Sequence, residues 1–269
     1  MTDYDAIQAL NWSTLKLLHV SPKWLQWSAT HPREDTAALA LGRAIHVCAL
    51  EPERWHCEHM ARPDFGDLRT KRAKALRVEW ESTLSPRVTV LDAKTYELTE
   101  TCARAVREHP EAMKLLAGGR NEETVQWTDE LTGIRCKGRV DTGRPLDICD
   151  LKSTCRGTPR EFIRDAAALL YHGQLAWYHD GAVSAGVLPP NALLPGIVAV
   201  QTTPPFDVMA FRMTENAYLV GRILWQSLIQ RYAECQAAEW WPGVAPTLLD
   251  FDVPPWAPHG DEPITDEVF

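Results

Sequence analysis

The spacing of apolar and polar residues predicts a helical first part of the chain. Residues 36–50, 68–84 and 92–108 all have the composition and periodicity of helices. The dipeptide Glu51-Pro52 ends the first of them, because the residue before a proline disfavours helical dihedral angles. The N-terminal part therefore contributes helices before any strand begins.

The period changes in the middle of the chain, where three strands are predicted. Residues 123–129 alternate apolar and polar side chains, and residues 134–141 do so again after a turn at 130–133. Residues 145–153 form a short apolar run that is interrupted by acids, which indicates a third strand. Three successive strands indicate a sheet at the centre of the fold.

A second helical region follows these strands. Residues 158–182 predict one helix, with Thr158 as its cap, Pro159 at its first position and Glu161 completing a capping box. Apolar runs at 194–203 and 206–213 and a long amphipathic pattern at 215–238 then predict two more strands and a final helix.

This order of elements predicts an α/β fold, with a central mixed β-sheet flanked by helices and an added helical N-terminal region. We expect one domain over residues 1–238, helical to about 118, with the catalytic core over about 119–238. Residues 239–269 are rich in proline and acids and lack periodicity. They predict an extended C-terminal arm.

Composition narrows the class of protein. The chain has 269 residues, 45% hydrophobic and 24% charged, which is typical of a soluble globular protein. We find neither an apolar run near the ~20 residues of a membrane span nor a signal peptide, so we expect a cytoplasmic protein with no membrane partner. Seven cysteines without a C-x-x-C pair argue against a disulfide framework, a structural zinc site and an iron–sulfur cluster.

Net charge gives a mixed indication about nucleic acid. A formal charge of −8 argues against a protein that coats nucleic acid nonspecifically, although it leaves local binding open. The stretch 69–77 is strongly basic, and Lys71, Arg72 and Lys74 are candidate DNA contacts. A solvated helix face is the alternative interpretation.

The candidate chemistry lies in the stretch "KGRVDTGRPLDICDLKS", residues 137–153. Asp150 and Lys152 point to the same face of a strand, and Asp141 ends the preceding strand, so the two carboxylates can converge. Converging carboxylates repel unless a proton or a cation lies between them. Mg²⁺ or Mn²⁺ prefers such oxygens, and a neighbouring ammonium can stabilise charge on a phosphoryl oxygen. An ordinary surface Asp–Lys pair is the alternative, and Asp147 points away and is structural.

Two pairs of residues with helical spacing lie before and after this stretch in the sequence. Gly42 and His46 are four residues apart, as are Gln174 and Tyr178, so each pair shares one helix face. The imidazole of His46 can reach a metal, and Gly42 allows a close approach. Taken separately, each pair is also compatible with simple packing.

Together these motifs resemble the PDDEXK nuclease superfamily, in its RecB-like branch and nearest to the RecE-type, exonuclease VIII-like group of phage and prophage enzymes. The resemblance covers roughly residues 10–235. It runs through Gly42-x-x-x-His46, Lys137-Gly138-Arg139-x-Asp141, Asp150-x-Lys152 and Gln174-x-x-x-Tyr178.

The resemblance implies roles for these residues. His46, Asp141 and Asp150 would bind Mg²⁺, with Mn²⁺ as a second possibility, and the carbonyl of Leu151 would also contribute. Lys152 would be the catalytic lysine. Gln174 and Tyr178 would position the DNA phosphate or support the lysine. Arg139 would be a DNA contact, or alternatively an ordinary exposed residue. Glu123 or Glu122 would be an upstream acid.

The same resemblance implies a function. We expect a DNA exonuclease that digests linear duplex DNA from 5′ to 3′ and leaves 3′ tails for recombination by a RecT-like annealing protein. A ring-shaped homo-oligomer is expected by the same resemblance. Three alternatives stay open: a non-catalytic DNA-binding or assembly protein, a single-strand-specific exonuclease or an endonuclease of the superfamily, and an unrelated cysteine or serine hydrolase.

Overall fold

The computed structural model describes residues 4–31 and 34–257. Its helices are α1 (Trp12–Leu15), continued by a 3₁₀ turn (Lys16–His19), α2 (Pro22–Thr30), α3 (Ala37–Leu50), α4 (Pro52–Glu58), α5 (Lys71–Ser82), α6 (Ala93–Glu108), α7 (Pro110–Leu116), α8 (Pro159–Ala168), α9 (Tyr171–Ser184) and α10 (Glu215–Ala238). The strands are β1 (His59–Ala61), β2 (Thr89–Leu91), β3 (Arg120–Thr128), β4 (Arg135–Gly143), β5 (Ile148–Thr154), β6 (Gly196–Gln201) and β7 (Val208–Arg212).

Five strands form the central sheet in the order β3-β4-β5-β6-β7. The β5–β6 pair is parallel and the others are antiparallel. Side chains of β5 and β6 such as Leu151 and Val198 pack against α3, α6 and α7. Ile197 and Ala199 instead pack with Phe162 and the helices α8 and α9. This two-sided arrangement confirms the predicted mixed sheet flanked by helices.

The helix ends follow the predicted capping chemistry, with one exception. Thr158 and Glu161 form the capping box of α8, and Thr214 caps α10. The prediction of one continuous helix over 158–182 is wrong. Leu170 has a left-handed backbone (φ 61°), and the chain turns there between α8 and α9. No glycine or proline marks this break in the sequence.

The strands β4 and β5 part after a short contact. They pair only at Thr142 with Cys149 and at Gly143 with Ile148. The edge of β4 thus freed is covered partly by the N-terminal segment, where Leu10 bridges to Cys136. Beyond these two pairs, β4 and β5 are separated by a gap within the described chain.

The C-terminal arm contains no helix or strand in its described part, residues 239–257, and its last residues, 258–269, lie outside the described residues. Trp241 contacts the ring of Tyr232, which attaches the start of the arm to α10. Trp12 is buried, whereas Trp24 and Trp27 are exposed and stack on each other. Within the described chain, no helix is both long and apolar enough to cross a membrane.

Asp147 has a structural role, as its position in the sequence predicts. Its carboxylate is buried and accepts hydrogen bonds from Arg144 at 2.6 and 2.7 Å and from Arg212 at 2.8 Å. Burial opposes ionisation, but the two guanidinium groups outweigh it and hold the pKa of Asp147 below its usual range.

We therefore expect Asp147→Asn to lower the free energy of unfolding by about 3–5 kcal/mol at neutral pH. A depressed folded-state pKa stabilises the protein above the unfolded value of about 3.9, and this contribution is lost as the pH falls through the folded pKa. Denaturant unfolding at pH 7 and pH 3 checks the expectation. Asp67→Asn, which removes an exposed carboxylate paired with Arg69, is the control. Equal stabilities of the Asp147→Asn protein and the control would contradict it.

Candidate metal and phosphodiester site

Helix α3 carries His46 to the end of the sheet where β4 and β5 part. A Cβ atom added at Gly42 would lie 3.3 Å from Ser153 Oγ on β5, so glycine allows this close approach. Asn121 fixes the far end of the helix, because its amide donates to the Leu50 carbonyl at 2.5 Å. The predicted Gly42–His46 face is thus the face that α3 presents to the sheet.

Glu122 and Asp141 lie opposite each other on β3 and β4. The register pairs Asn121 with Thr142 and Glu123 with Val140, which sets Glu122 against Asp141. Glu122 also has a left-handed backbone (φ 53°), which is uncommon for glutamate. Like charges directly opposite are destabilising in a sheet. Such an arrangement indicates a site that requires both acids.

His46 completes a group of three possible metal ligands. One ligand atom from each of His46, Glu122 and Asp141 lies within 4.8 Å of the others, and His46 Nδ1 is 3.5 Å from Asp141 Oδ2. Ligands of an octahedral Mg²⁺ at about 2.1 Å lie roughly 3–4 Å apart. These side chains therefore fit a divalent cation. The sequence leaves the choice between Glu122 and Glu123 as the upstream acid open, and the structure places Glu122 in this group.

Glu123 lies outside the group. Its Oε1 pairs with Arg120 at 2.9 Å, and its other oxygen is buried beside Gly143. The left-handed backbone at Glu122 interrupts the regular alternation of β3, and the two neighbouring glutamates have different partners.

Asp150 and Lys152 lie across the gap from His46. Lys152 Nζ is 2.5 Å from Asp150 Oδ2, and Asp150 is 1% exposed. Its other oxygen, Oδ1, is buried and has no hydrogen-bond partner within the described chain. An unsatisfied buried carboxylate oxygen is costly, and a cation or a metal-bound water would satisfy it. Asp150 is outside the group of three, so its role as a ligand stays a prediction.

The backbone of Leu151 connects Asp141 with Asp150, the residue that precedes it in the chain. Its amide donates to Asp141 Oδ2 at 2.7 Å, so the Asp141 carboxylate takes the place of a strand partner. The carbonyl of Leu151 as a ligand stays a prediction.

Burial and neighbouring negative charges at the site favour the binding of protons or cations. Burial, then the neighbouring Asp150, raises the pKa of Asp141, and burial and Asp141 raise that of Glu122. Burial works against the charged form of Lys152, but Asp150 and Asp141 outweigh it and raise the pKa of this lysine. The lysine is therefore an ammonium ion beside the buried carboxyl group of Asp150 and the carboxyl group of Asp141.

Helix α9 supplies three polar groups at helical spacing. Gln174 Nε2 donates to Tyr178 Oη at 3.1 Å, and burial and then Asp150 raise the pKa of Tyr178. Gly138 is required here, because a Cβ at this position would lie 2.8 Å from the Tyr178 ring. Tyr171 was not identified from the sequence, although it precedes Gln174 by three residues. Its ring centre lies 4.9 Å from Lys152 Nζ.

A surface pocket lies beside His46, Glu122 and Asp141, and Arg139 also lines it. Lys137, by contrast, has a structural role. Lys137 Nζ donates to the carbonyls of Tyr4 and Ile7 at 2.8 and 3.0 Å and so holds the N-terminal segment on β4. The Tyr4 ring covers the Arg139 guanidinium at 4.2 Å, and Arg139 Nη1 is 3.7 Å from Glu122. No sequence signal indicated Tyr4.

The basic helix α5 lies apart from this pocket. Lys71, Arg72 and Lys74 are exposed on either side of the buried Ala73. The described residues that line the pocket beside His46 include none of the three. Their contact with DNA stays a prediction.

The choice between the two glutamates can be tested. We expect Glu122→Gln to weaken Mn²⁺ binding and DNA cleavage by at least about 10-fold, because it removes one charged ligand. Glu123→Gln is the matched control, since it changes the neighbouring acid, which pairs with Arg120 outside the ligand group. Calorimetric Mn²⁺ titration and a nuclease assay measure the effect. A larger loss in the Glu123→Gln protein would reverse the assignment.

Comparisons with known proteins indicate the family and the fold of this chain. A family model described as a PDDEXK-like domain of unknown function (DUF3799) matches residues 12–247. A crystal structure described as a "Putative exonuclease" from Eubacterium rectale is similar, with 13% identity and a TM-score of 0.58 over 92% of this chain and 91% of that one. The structure of SSO0001 has 15% identity and a TM-score of 0.27 over 70% and 85% of the two chains, which is too low to support an argument. No curated protein sequence matches significantly.

Proposed function

This chain belongs to the DUF3799 family of PDDEXK-like domains, and from that premise we propose that it is a metal-dependent deoxyribonuclease. The observation that supports the proposal best is the group of His46, Glu122 and Asp141, with Asp150 and Lys152 across the gap. A structural ion pair would need neither an imidazole nor a second and third carboxylate at one place.

The chain's own residues have distinct tasks in the proposed reaction. His46, Glu122 and Asp141 would hold Mg²⁺ or Mn²⁺, and the cation would supply Lewis-acid activation of the phosphodiester and of water. Lys152, kept charged by Asp150, is placed to orient the attacking water and to stabilise negative charge on the phosphoryl oxygens.

Residues around the lysine fix its position. The Tyr171 ring and Asp150 restrict the ammonium group from two sides. Gln174 and Tyr178 form a polar pair that can contact a phosphate or support the lysine. Burial of these groups strengthens their interactions, because the local dielectric constant is low.

We further propose that the substrate is the end of linear double-stranded DNA, digested from 5′ to 3′ to leave 3′ single-stranded tails. The family resemblance and the description of the Eubacterium rectale protein as an exonuclease support this choice. A RecT-like annealing protein as partner, a ring-shaped homo-oligomer, a role in phage recombination and a cytoplasmic location belong to the same proposal.

One set of digestions tests the proposal. Purified protein is incubated with linear duplex, closed circular and single-stranded DNA, in Mg²⁺, in Mn²⁺ and in EDTA. We expect only the linear duplex to be digested, and only when Mg²⁺ or Mn²⁺ is present. Label at the 5′ ends should be released before label at the 3′ ends. Cleavage of circles would identify an endonuclease, and activity in EDTA would exclude the metal site and favour a cysteine or serine hydrolase.

The main alternative is a non-catalytic DNA-binding protein on the same scaffold. The presence of Asp141, Asp150 and Lys152 argues against it, because a binding protein has no need for a charged lysine beside paired acids. Binding of linear duplex without cleavage in either metal would favour this alternative.

A further inference from the structure

Three arginines reach the pocket beside the metal-ligand group from different elements. Arg43 lies on α3, Arg54 on α4 and Arg139 on β4, and all three line an open pocket of about 430 Å³. His46, Glu122 and Asp141 line the same pocket. Cationic side chains therefore surround the position where the candidate ligands converge.

Carboxylates hold two of these arginines without burying them. Arg54 donates to Glu58 through Nε at 2.8 Å and to Glu51 through Nη1 at 3.1 Å. Arg43 pairs with Asp35 on the loop before α3, and its side chain is 64% exposed. The Arg43–Asp35 pair is exposed and contributes little to stability, so a competing anion can replace its carboxylate at small cost. The pairs of Arg54 are partly buried, and its guanidinium still lines the open pocket.

The chemistry of the pocket suits a phosphodiester. A guanidinium group presents paired donors that match two phosphate oxygens. A cation held by the three ligands would add a positive charge next to the arginines. The pocket is large enough for a nucleotide segment and is within the usual range for small ligands.

We propose that Arg43 and Arg54 bind backbone phosphates of the DNA strand being cut, next to the scissile phosphate. The assignment rests on the proposed nuclease function and adds two residues to it. It also defines a path for the strand, which enters along α3 and α4 on the side of the sheet that carries His46. Arg139 lines the same pocket from β4, and its guanidinium lies over the Tyr4 ring.

Salt-dependent DNA binding tests this assignment. Binding of a 30-base-pair linear duplex is measured from 50 to 300 mM NaCl in an Asp150→Asn background, which prevents cleavage. We expect Arg43→Gln and Arg54→Gln each to weaken binding about 10-fold at low salt. Each should also reduce the slope of log K against log salt by about 0.7–0.9, because one phosphate contact is lost. Arg54→Lys should restore most of the slope.

Lys114→Gln is the matched control, since it removes an exposed cation that is held by Glu111 in a similar helical pair. Slopes of both arginine variants equal to that of the control would overturn the assignment, as would a failure of the Asp150→Asn protein to bind the duplex. A lower melting temperature of the Arg54→Gln protein with an unchanged slope would show that Arg54 only braces α4, which also overturns its role. Failure of the unsubstituted protein to cleave DNA would count against the nuclease proposal separately.

Discussion

Replacing Lys152 by methionine is expected to lower the rate of DNA cleavage by about 10²–10³-fold. The ammonium group lies 2.5 Å from Asp150 and is the cation placed to stabilise charge on the phosphoryl group. Loss of one such preorganised donor costs about this factor in other enzymes. Methionine keeps the apolar stem beside the Tyr171 ring, so the change is mainly electrostatic. Single-turnover cleavage of a linear duplex in Mg²⁺ measures the rate.

Two controls separate chemistry from folding in this experiment. Lys114→Met removes an exposed lysine on α7 and should leave the rate unchanged. Melting curves of the Lys152→Met protein show whether it is folded at the assay temperature, and Lys152→Arg retains the charge if methionine destabilises the core. A folded methionine variant that cleaves at the unsubstituted rate would remove Lys152 from the mechanism.

Replacing Asp141 by asparagine should abolish both metal binding and cleavage without loss of stability. In the unsubstituted protein, a saturating Mg²⁺ or Mn²⁺ concentration of about 100 Kd should add about 2.7 kcal/mol to the free energy of unfolding. The asparagine variant should lose this increment, because one of the three clustered ligands is gone. The amide oxygen can still accept the hydrogen bond from the Leu151 amide. Thermal and denaturant unfolding with and without metal measure both effects.

The pH dependence of this variant has a defined sign. Because the pKa of Asp141 is raised in the folded state, its ionisation costs stability as the pH rises through that pKa. In EDTA, the asparagine variant should therefore equal or exceed the unsubstituted protein near pH 8, and the difference should close as the pH falls. Asp147→Asn is the contrasting control, since the pKa of Asp147 is lowered. A variant that is less stable in EDTA at pH 8 would indicate a structural role for Asp141.

Local rules predicted much of the fold. Cap residues such as Thr158 and Thr214 mark their helices because they satisfy amide groups that the helix leaves unpaired. Five strands were recognised from period and composition. The short strands β1 and β2 were not, since three residues carry too little pattern. The helix break at Leu170 was also not predicted, because no local sequence pattern marks a leucine with a left-handed backbone.

Residues of the candidate site were predictable where a short stretch of sequence relates them, as it does for Asp141 and Asp150. The Gly42–His46 and Gln174–Tyr178 pairs follow from helical spacing. The choice of Glu122 over Glu123 depends on the register of β3 against β4, which is set by long-range pairing. Tyr4 approaches Arg139 across more than a hundred residues of sequence, so no local pattern could indicate it.

The hydrogen bond from the Leu151 amide to the Asp141 carboxylate gives the protein an internal spectroscopic reporter. Most strand amides sense only a neighbouring carbonyl, whereas this one senses the charge of a candidate ligand. Its proton resonance in a ¹H–¹⁵N spectrum should therefore move when a cation or a proton reaches Asp141. Metal binding at the site could then be followed through this one amide, in the absence of DNA and of turnover.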